Sequence, residues 1–221
     1  MNTSSYVRKS QFHLERKIIN KPDVILIFAP SSFTMKIILI DNYDSFTWNL
    51  HQLLLKAGAK EVIVIENDKV TDDAIDLADA IVFSPGPGLP DEAGRMKEII
   101  KKYAARKKML GICLGHQAIA EVFGAKLEHA DEIFHGTSTH LRIFERTTIF
   151  RDLPEVVLAG RYHSWIVSNK GFPEVLQILA TDEKGVIMAF RHQLLNISGV
   201  QFHPESILTP LGEKMMRNWM R

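Results

Sequence analysis

From position 35 onward, short aliphatic runs alternate with stretches whose apolar residues recur at helical spacing. Residues 36–41 carry the four aliphatics Ile37, Ile38, Leu39 and Ile40 in a row and predict a strand buried on both faces. A polar turn at 42–45 leads into a predicted helix over 46–57, with Phe46, Leu50, Leu53, Leu54 and Ala57 on one side and Gly58 as its stop. Residues 61–65, 80–84 and 108–112 read as further strands, and 92–106 and 114–123 as helices, the second closed by Gly124. Apolar strands separated by helices predict a parallel sheet covered on both faces. After Gly124 the pattern changes: 125–144, 156–167, 176–181, 186–192 and 197–202 are strand-like and joined by short turns, before a last helix over 210–221. The expected class is α/β, a mostly parallel open sheet flanked by helices, with a smaller antiparallel β extension in the C-terminal half. Trp48 and Trp219 fall on helices and are expected in the core. Asp44 or Ser45 is expected to cap the helix that starts at Phe46.

The first 34 residues lack this periodicity and hold seven Ser/Thr residues. They read as an N-terminal extension dispensable for the domain at 35–221, with one alternative: the apolar run 24–28 adds an edge strand to the sheet. Val24 to Ala29 is too short, and too closely preceded by Pro22 and Asp23, for a signal peptide.

Composition narrows the class. The 221 residues are 46% hydrophobic and 24% charged, ordinary for a globular domain. Lys+Arg 27 against Asp+Glu 26 gives a net charge of +1. Five of those basic and two of those acidic residues lie before position 35, which leaves 22 against 24 and a net of −2 for the rest. Such a balance gives no electrostatic reason to expect a nucleic acid or an anionic membrane as partner. No apolar run approaches the roughly 18 residues of a membrane span. With Cys113 as the sole cysteine, an internal disulfide is excluded and a reducing cytoplasm is the expected compartment.

Three segments carry candidate chemistry. The sharpest is Gly111-Ile112-Cys113-Leu114-Gly115, at a strand-to-helix junction. A nucleophile on such an elbow is held in a tight turn, glycines on either side remove side chains that would collide, and the free N–H groups of the next helix favour a thiolate. A buried structural cysteine beside helix-packing glycines is the alternative for this motif alone. The second is His203-Pro204-Glu205 after a strand, where two-residue alternation puts His203 and Glu205 on one face: a base for the cysteine and a carboxylate to orient it. The third is Ser84-Pro85-Gly86-Pro87-Gly88 at the carboxyl end of a strand, where unobstructed backbone N–H groups suit an oxyanion hole. It carries neither a dinucleotide nor a phosphate-loop signature. His116, His129, His135, His140 and His163 show no metal-ligand spacing with Cys or carboxylates, so no metal is expected.

Together these segments resemble the class I, or triad, glutamine amidotransferases, and most of all the component II glutaminases of anthranilate synthase and aminodeoxychorismate synthase. The stretches that carry the resemblance are DNYDSFT (41–47), SPGPGLPDEAG (84–94), GICLGHQ (111–117) and GVQFHPES (199–206). The resemblance implies Cys113 as nucleophile, His203 as base and Glu205 as its partner. It implies an oxyanion hole from Gly86 and the N–H of Leu114, and a glutamine pocket lined by Gly86, Pro87, Gly88, Gln117, Ser164 and Trp165. It also implies L-glutamine as substrate, no cofactor, and a hetero-oligomer with a chorismate-using component I, in tryptophan biosynthesis by first preference and in folate biosynthesis, or both, as the alternative. Two readings from other classes stand beside it: a cysteine hydrolase of γ-glutamyl or peptide substrates, and a catalytically silent interaction subunit. The sequence departs from the family where His135-Gly136 is followed by Thr137 rather than lysine, and where Trp165 replaces a common leucine.

Overall fold

A computed structural model describes residues 35–221; the run at 24–28 lies outside the described residues. The first half alternates strand and helix: β1 (Lys36–Asp41), α1 (Thr47–Ala57), β2 (Glu61–Glu66), α2 (Asp72–Asp76), β3 (Ala80–Phe83), α3 (Met96–Tyr103), β4 (Lys108–Ile112) and α4 (Leu114–Val122). The second half is almost all strand: β5 (Leu127–His129), β6 (Thr137–Ile143), β7 (Val156–Arg161), β8 (Trp165–Val167), β9 (Leu176–Thr181), β10 (Ile187–His192) and β11 (Ile197–Val200), closed by α5 (Gly212–Met220).

One sheet takes nine of these strands in the order β2-β1-β3-β4-β11-β10-β9-β6-β7. The first five run parallel, and the remaining four continue the same sheet antiparallel. β5 and β8 pair separately. Strand alternation divides the core in two. Ile37 and Leu39 pack with Leu50 and Leu54 of α1 and Met215, Met216 and Trp219 of α5, whereas Ile38 and Ile40 pack with Met96, Ile99 and Ile100 of α3 and Ile119 of α4. The four-residue aliphatic run is therefore wholly buried, as a strand covered on both faces must be. The carboxyl ends of β1, β3, β4 and β11 deliver Asn42, Ser84, Cys113 and Gln201 to one edge of the sheet.

The departures from the sequence reading have local causes. The helix expected over 92–106 is shorter, because Gly94 takes a left-handed φ of +52° against Asn67 and separates a 3-10 turn at Pro90–Glu92 from α3. The one-turn α2 went unread, although Thr71 caps it by accepting from the Ala74 N–H at 3.3 Å. The segment 125–144 is two strands in different sheets, and 156–167 breaks at Tyr162, His163 and Ser164 between β7 and β8. Trp219 is buried as expected, but Trp48 is not in the core: it is 60% exposed and stacks edge-on against His51. Neither Asp44 nor Ser45 caps α1: Phe46 holds the cap position with no side-chain bond, while Asp44 accepts from the Phe46 N–H at 2.7 Å in the preceding turn, which Asp41 holds through the Asp44 N–H and the Thr47 hydroxyl.

The elbow between β4 and α4 leaves no room for side chains. A Cβ on Gly111 would lie 2.3 Å from the Gly115 backbone, and one on Gly115 would lie 2.6 Å from the Phe83 carbonyl oxygen. Cys113, between them, has φ 52° and ψ −99°, a conformation that L-residues adopt only where the surroundings impose it. Directly behind, His116 is fully buried against Phe190, with neither ring nitrogen hydrogen-bonded. Burial drives its pKa down to about 3, opposed only in part by the Gly199 backbone.

Two outcomes follow from this packing. Gly111→Ala forces backbone apart at the elbow and should lower stability by about 1–3 kcal/mol, read as a fall in the urea midpoint of the purified chain. His116 is neutral when folded and takes a proton when unfolded below about pH 6.5, so its contribution is lost as pH falls from there toward 3. Urea melts at pH 7.5 and pH 5 should show a drop that is smaller in His116→Leu by about 2 kcal/mol.

Candidate active site

Each functional side chain is held by main-chain bonds of the sheet edge. The Cys113 N–H donates to the Val200 carbonyl at 2.9 Å, so the elbow is tied to the end of β11. Beyond β11, the His203 N–H donates to the Gly160 carbonyl at 3.0 Å, which pins the chain to β7. Thr209 closes this clasp: its hydroxyl donates to the His203 carbonyl at 2.6 Å and accepts from the Gly160 N–H at 3.0 Å. The loop after β3 is fixed by Asn42, whose N–H donates to Ser84 Oγ at 2.9 Å and whose side-chain amide donates to the Ser84 carbonyl at 2.8 Å. A Cβ on Gly86 would come within 2.6 Å of Asn42 Cβ and 2.8 Å of Leu114 Cδ2, so this loop lies against the elbow only because Gly86 has none.

His203 and Glu205 meet, but not by the strand alternation expected of them: β11 ends at Val200, and a turn after the isolated bridge at His203 brings Glu205 back to the imidazole. Glu205 Oε1 lies 2.7 Å from His203 Nδ1, and the side chains are 2% and 0% exposed. Nε2, the other ring nitrogen, has no hydrogen-bond partner. Phe46 and Tyr162 flank the imidazole, with ring centroids at 5.3 and 4.8 Å. Burial works against a charged ring, yet the Cys113 side chain and the Glu205 carboxylate outweigh it and raise the His203 pKa to about 10. The imidazole therefore holds a proton at neutral pH, beside the sulfur.

Cys113 opens into a cavity of about 170 Å³. The residues singled out in the sequence for the substrate, Gly86, Pro87, Gly88, Leu114, Gln117, Ser164 and Trp165, all line it. His203 and Glu205 do not; the imidazole lies beside the sulfur. Tyr162 and His163 complete the wall and were not assigned to it from the sequence. Their adjacency to Ser164 was the available signal. The Trp165 ring stacks on His129 at 3.7 Å between centroids, and its carbonyl accepts from Gln117 Nε2 at 2.9 Å. Gly136, next to the departure at Thr137, approaches the Tyr162 ring.

Beneath the wall, Arg161 is buried in an ion pair with Asp182 at 2.6 Å, with Phe134 over its guanidinium at 3.5 Å. Arg161 Nε donates to His163 Nε2 at 3.1 Å. Burial, and then the neighbouring Arg161 charge, push the His163 pKa down to about 3, so that ring is neutral. The site thus contains one neutral histidine in the cavity wall and one charged histidine beside the sulfur, each set by its neighbours.

Comparison with known proteins gives the same assignment of family. The family model for "Glutamine amidotransferase class-I" matches residues 38–221. The aminodeoxychorismate/anthranilate synthase component 2 of Bacillus subtilis is 45% identical over 186 residues, 83% of this chain and 95% of its own length. The aminodeoxychorismate synthase component 2 of Klebsiella aerogenes is 44% identical over 186 residues, covering 83% of this chain and 98% of its own. A crystal structure of a Thermoplasma acidophilum protein superposes with a TM-score of 0.76 at 27% identity, over 85% of this chain and 92% of that one. By its fold, by the family model across nearly the whole described domain and by these relatives, the chain belongs to the class I glutamine amidotransferases.

Proposed function

We propose that the chain is the glutaminase subunit of a chorismate-aminating synthase, and that Cys113, His203 and Glu205 are its catalytic residues. The observation that carries the reading is the sulfur on a strained elbow, beside a carboxylate-paired histidine and at the mouth of a cavity. A proton held on His203 stabilises negative charge on the sulfur next to it. Cys113 Sγ attacks the side-chain amide carbon of L-glutamine, and the carbonyl oxygen takes the electron pair. Backbone N–H groups of Leu114, at the start of α4, and of Gly86 receive that oxyanion. His203 gives its Nε2 proton to the amide nitrogen, the C–N bond breaks, and ammonia leaves a γ-glutamyl thioester. A water molecule then loses a proton to Nε2 and attacks the thioester, which releases glutamate and restores the ion pair. Glu205 keeps Nδ1 protonated throughout, so that Nε2 is always the nitrogen that exchanges the proton. No step calls for a cofactor.

The partner is a component I subunit that consumes ammonia and chorismate. Both relatives compared carry aminodeoxychorismate synthase in their names, and the Bacillus subtilis protein carries anthranilate synthase as well. That broadens the tryptophan-branch preference to a subunit serving either synthase, and the domain at 35–221 is proposed to suffice for it. The test is to assay the chain with each type of component I, chorismate and glutamine; neither product forming would refute the role. Cys113→Ala should abolish glutamine-dependent synthesis and leave ammonia-dependent synthesis by the partner intact, and loss of both in an assembled complex would contradict the reading. His203→Asn should lower kcat by about 10²–10⁴-fold and Glu205→Gln by less, since the first removes the proton carrier and the second only its orientation. A chain restarted at Met35 should keep its melting transition and activity; a lower melt would assign the run at 24–28 to the sheet.

A further inference from the structure

Gln201 joins β11 to the loop that carries His203, has no exposed surface and does not line the cavity. A primary amide so buried costs free energy unless both of its ends are paired. Its Oε1 accepts from Gln117 Nε2 at 3.2 Å, and its Nε2 donates to Cys113 Sγ at 3.6 Å. We propose that Gln201 is a positioning residue of the nucleophile, whose amide N–H, turned toward the sulfur by Gln117, favours negative charge on Cys113 and fixes the direction of its side chain. The inference deepens the reading above and rests on Cys113 being the nucleophile.

The polarity of the contact follows from the groups beyond it. The Trp165 carbonyl can only accept, so the end of Gln117 that lies 2.9 Å from it is the NH₂ group. The second hydrogen of that NH₂ requires an acceptor on Gln201, which places Oε1 there and leaves Nε2 for the sulfur. The carbonyl is itself held by a second donor. Arg161 Nε can only donate, so His163 Nε2 is bare and its Nδ1 carries the hydrogen given to the Trp165 carbonyl at 2.9 Å. Arg161 is anchored in turn by Asp182, with side chains 1% and 2% exposed. A continuous set of hydrogen bonds therefore runs from a buried ion pair to the sulfur, and each has one possible polarity. With Gln201 reversed, a carbonyl oxygen would face the sulfur and repel a thiolate.

Cys113 is the sole cysteine, so iodoacetamide alkylation reads its thiolate without glutamine or a partner chain. The titratable groups about the elbow and the cavity are His203 with its partner Glu205, the neutral His116 in the first turn of α4, and Tyr162 and His163 in the cavity wall. None is altered in Gln201→Leu or Gln201→Met, which keep apolar bulk and remove the donor. In both variants the pH of half-maximal alkylation rate should rise by about one unit. An unchanged midpoint in either folded variant would overturn the proposal, because a residue that only fills space leaves the sulfur's titration alone. On the unaltered chain, the side-chain amide nitrogen resonance of Gln201 should shift with the same midpoint as alkylation, and a resonance indifferent to the sulfur would overturn it equally. Normal alkylation with no glutamate release beside a competent partner would refute the glutaminase reading instead; unshifted midpoints in an active enzyme refute this proposal alone.

Discussion

On either side of Cys113 there is no space for a side chain. β3, β4 and the first turn of α4 approach so closely that Gly111 meets Gly115, and Gly115 meets Phe83, at distances that only missing Cβ atoms allow. That approach forces Cys113 into its left-handed conformation, ties its N–H to the end of β11, and aims the start of α4 at the sulfur. The cavity, the histidine beside the sulfur and the glycine loop packed against Leu114 are placed relative to this one turn. The strain is tolerable because the strands that meet there are buried on both faces and cannot relax independently.

The site is also an arrangement of protons. His203 is held charged by Glu205 and the sulfur against the cost of its burial, whereas His163 is held neutral by burial and by Arg161. The same residue type is thus charged beside the sulfur and a neutral, fixed donor in the cavity wall, according to whether its neighbour is a carboxylate or a guanidinium. His116, packed against Phe190, is held neutral by burial.

Much of this was legible in the sequence, because the parts that matter are short and local. The aliphatic run of β1 and the Gly-x-Cys-x-Gly elbow each specify their geometry within a few residues, and the His-x-Glu pair does so too, through a turn rather than the expected strand alternation. What was not legible depends on distant pairing. The break of 156–167 into β7 and β8 arises because β8 pairs with β5 while β7 stays in the large sheet, and no local pattern announces it. That break is what carries Tyr162 and His163 into the cavity wall. Gln201 carries no local signal, because its partners Gln117 and Cys113 each lie more than eighty positions away in sequence. Trp48 was misplaced because helical spacing identifies a face, and its position on α1 turned out to lie on the solvent side.

The central claim is that the sulfur of Cys113 carries the glutamyl group during turnover. Its most direct test is to mix the assembled complex with glutamine and chorismate, quench with acid within one turnover, and digest the chain for mass spectrometry. The account predicts one γ-glutamyl group on the peptide containing Cys113, labile to hydroxylamine as a thioester is. Steady release of glutamate with that peptide unmodified, or with the group on another residue, would contradict it.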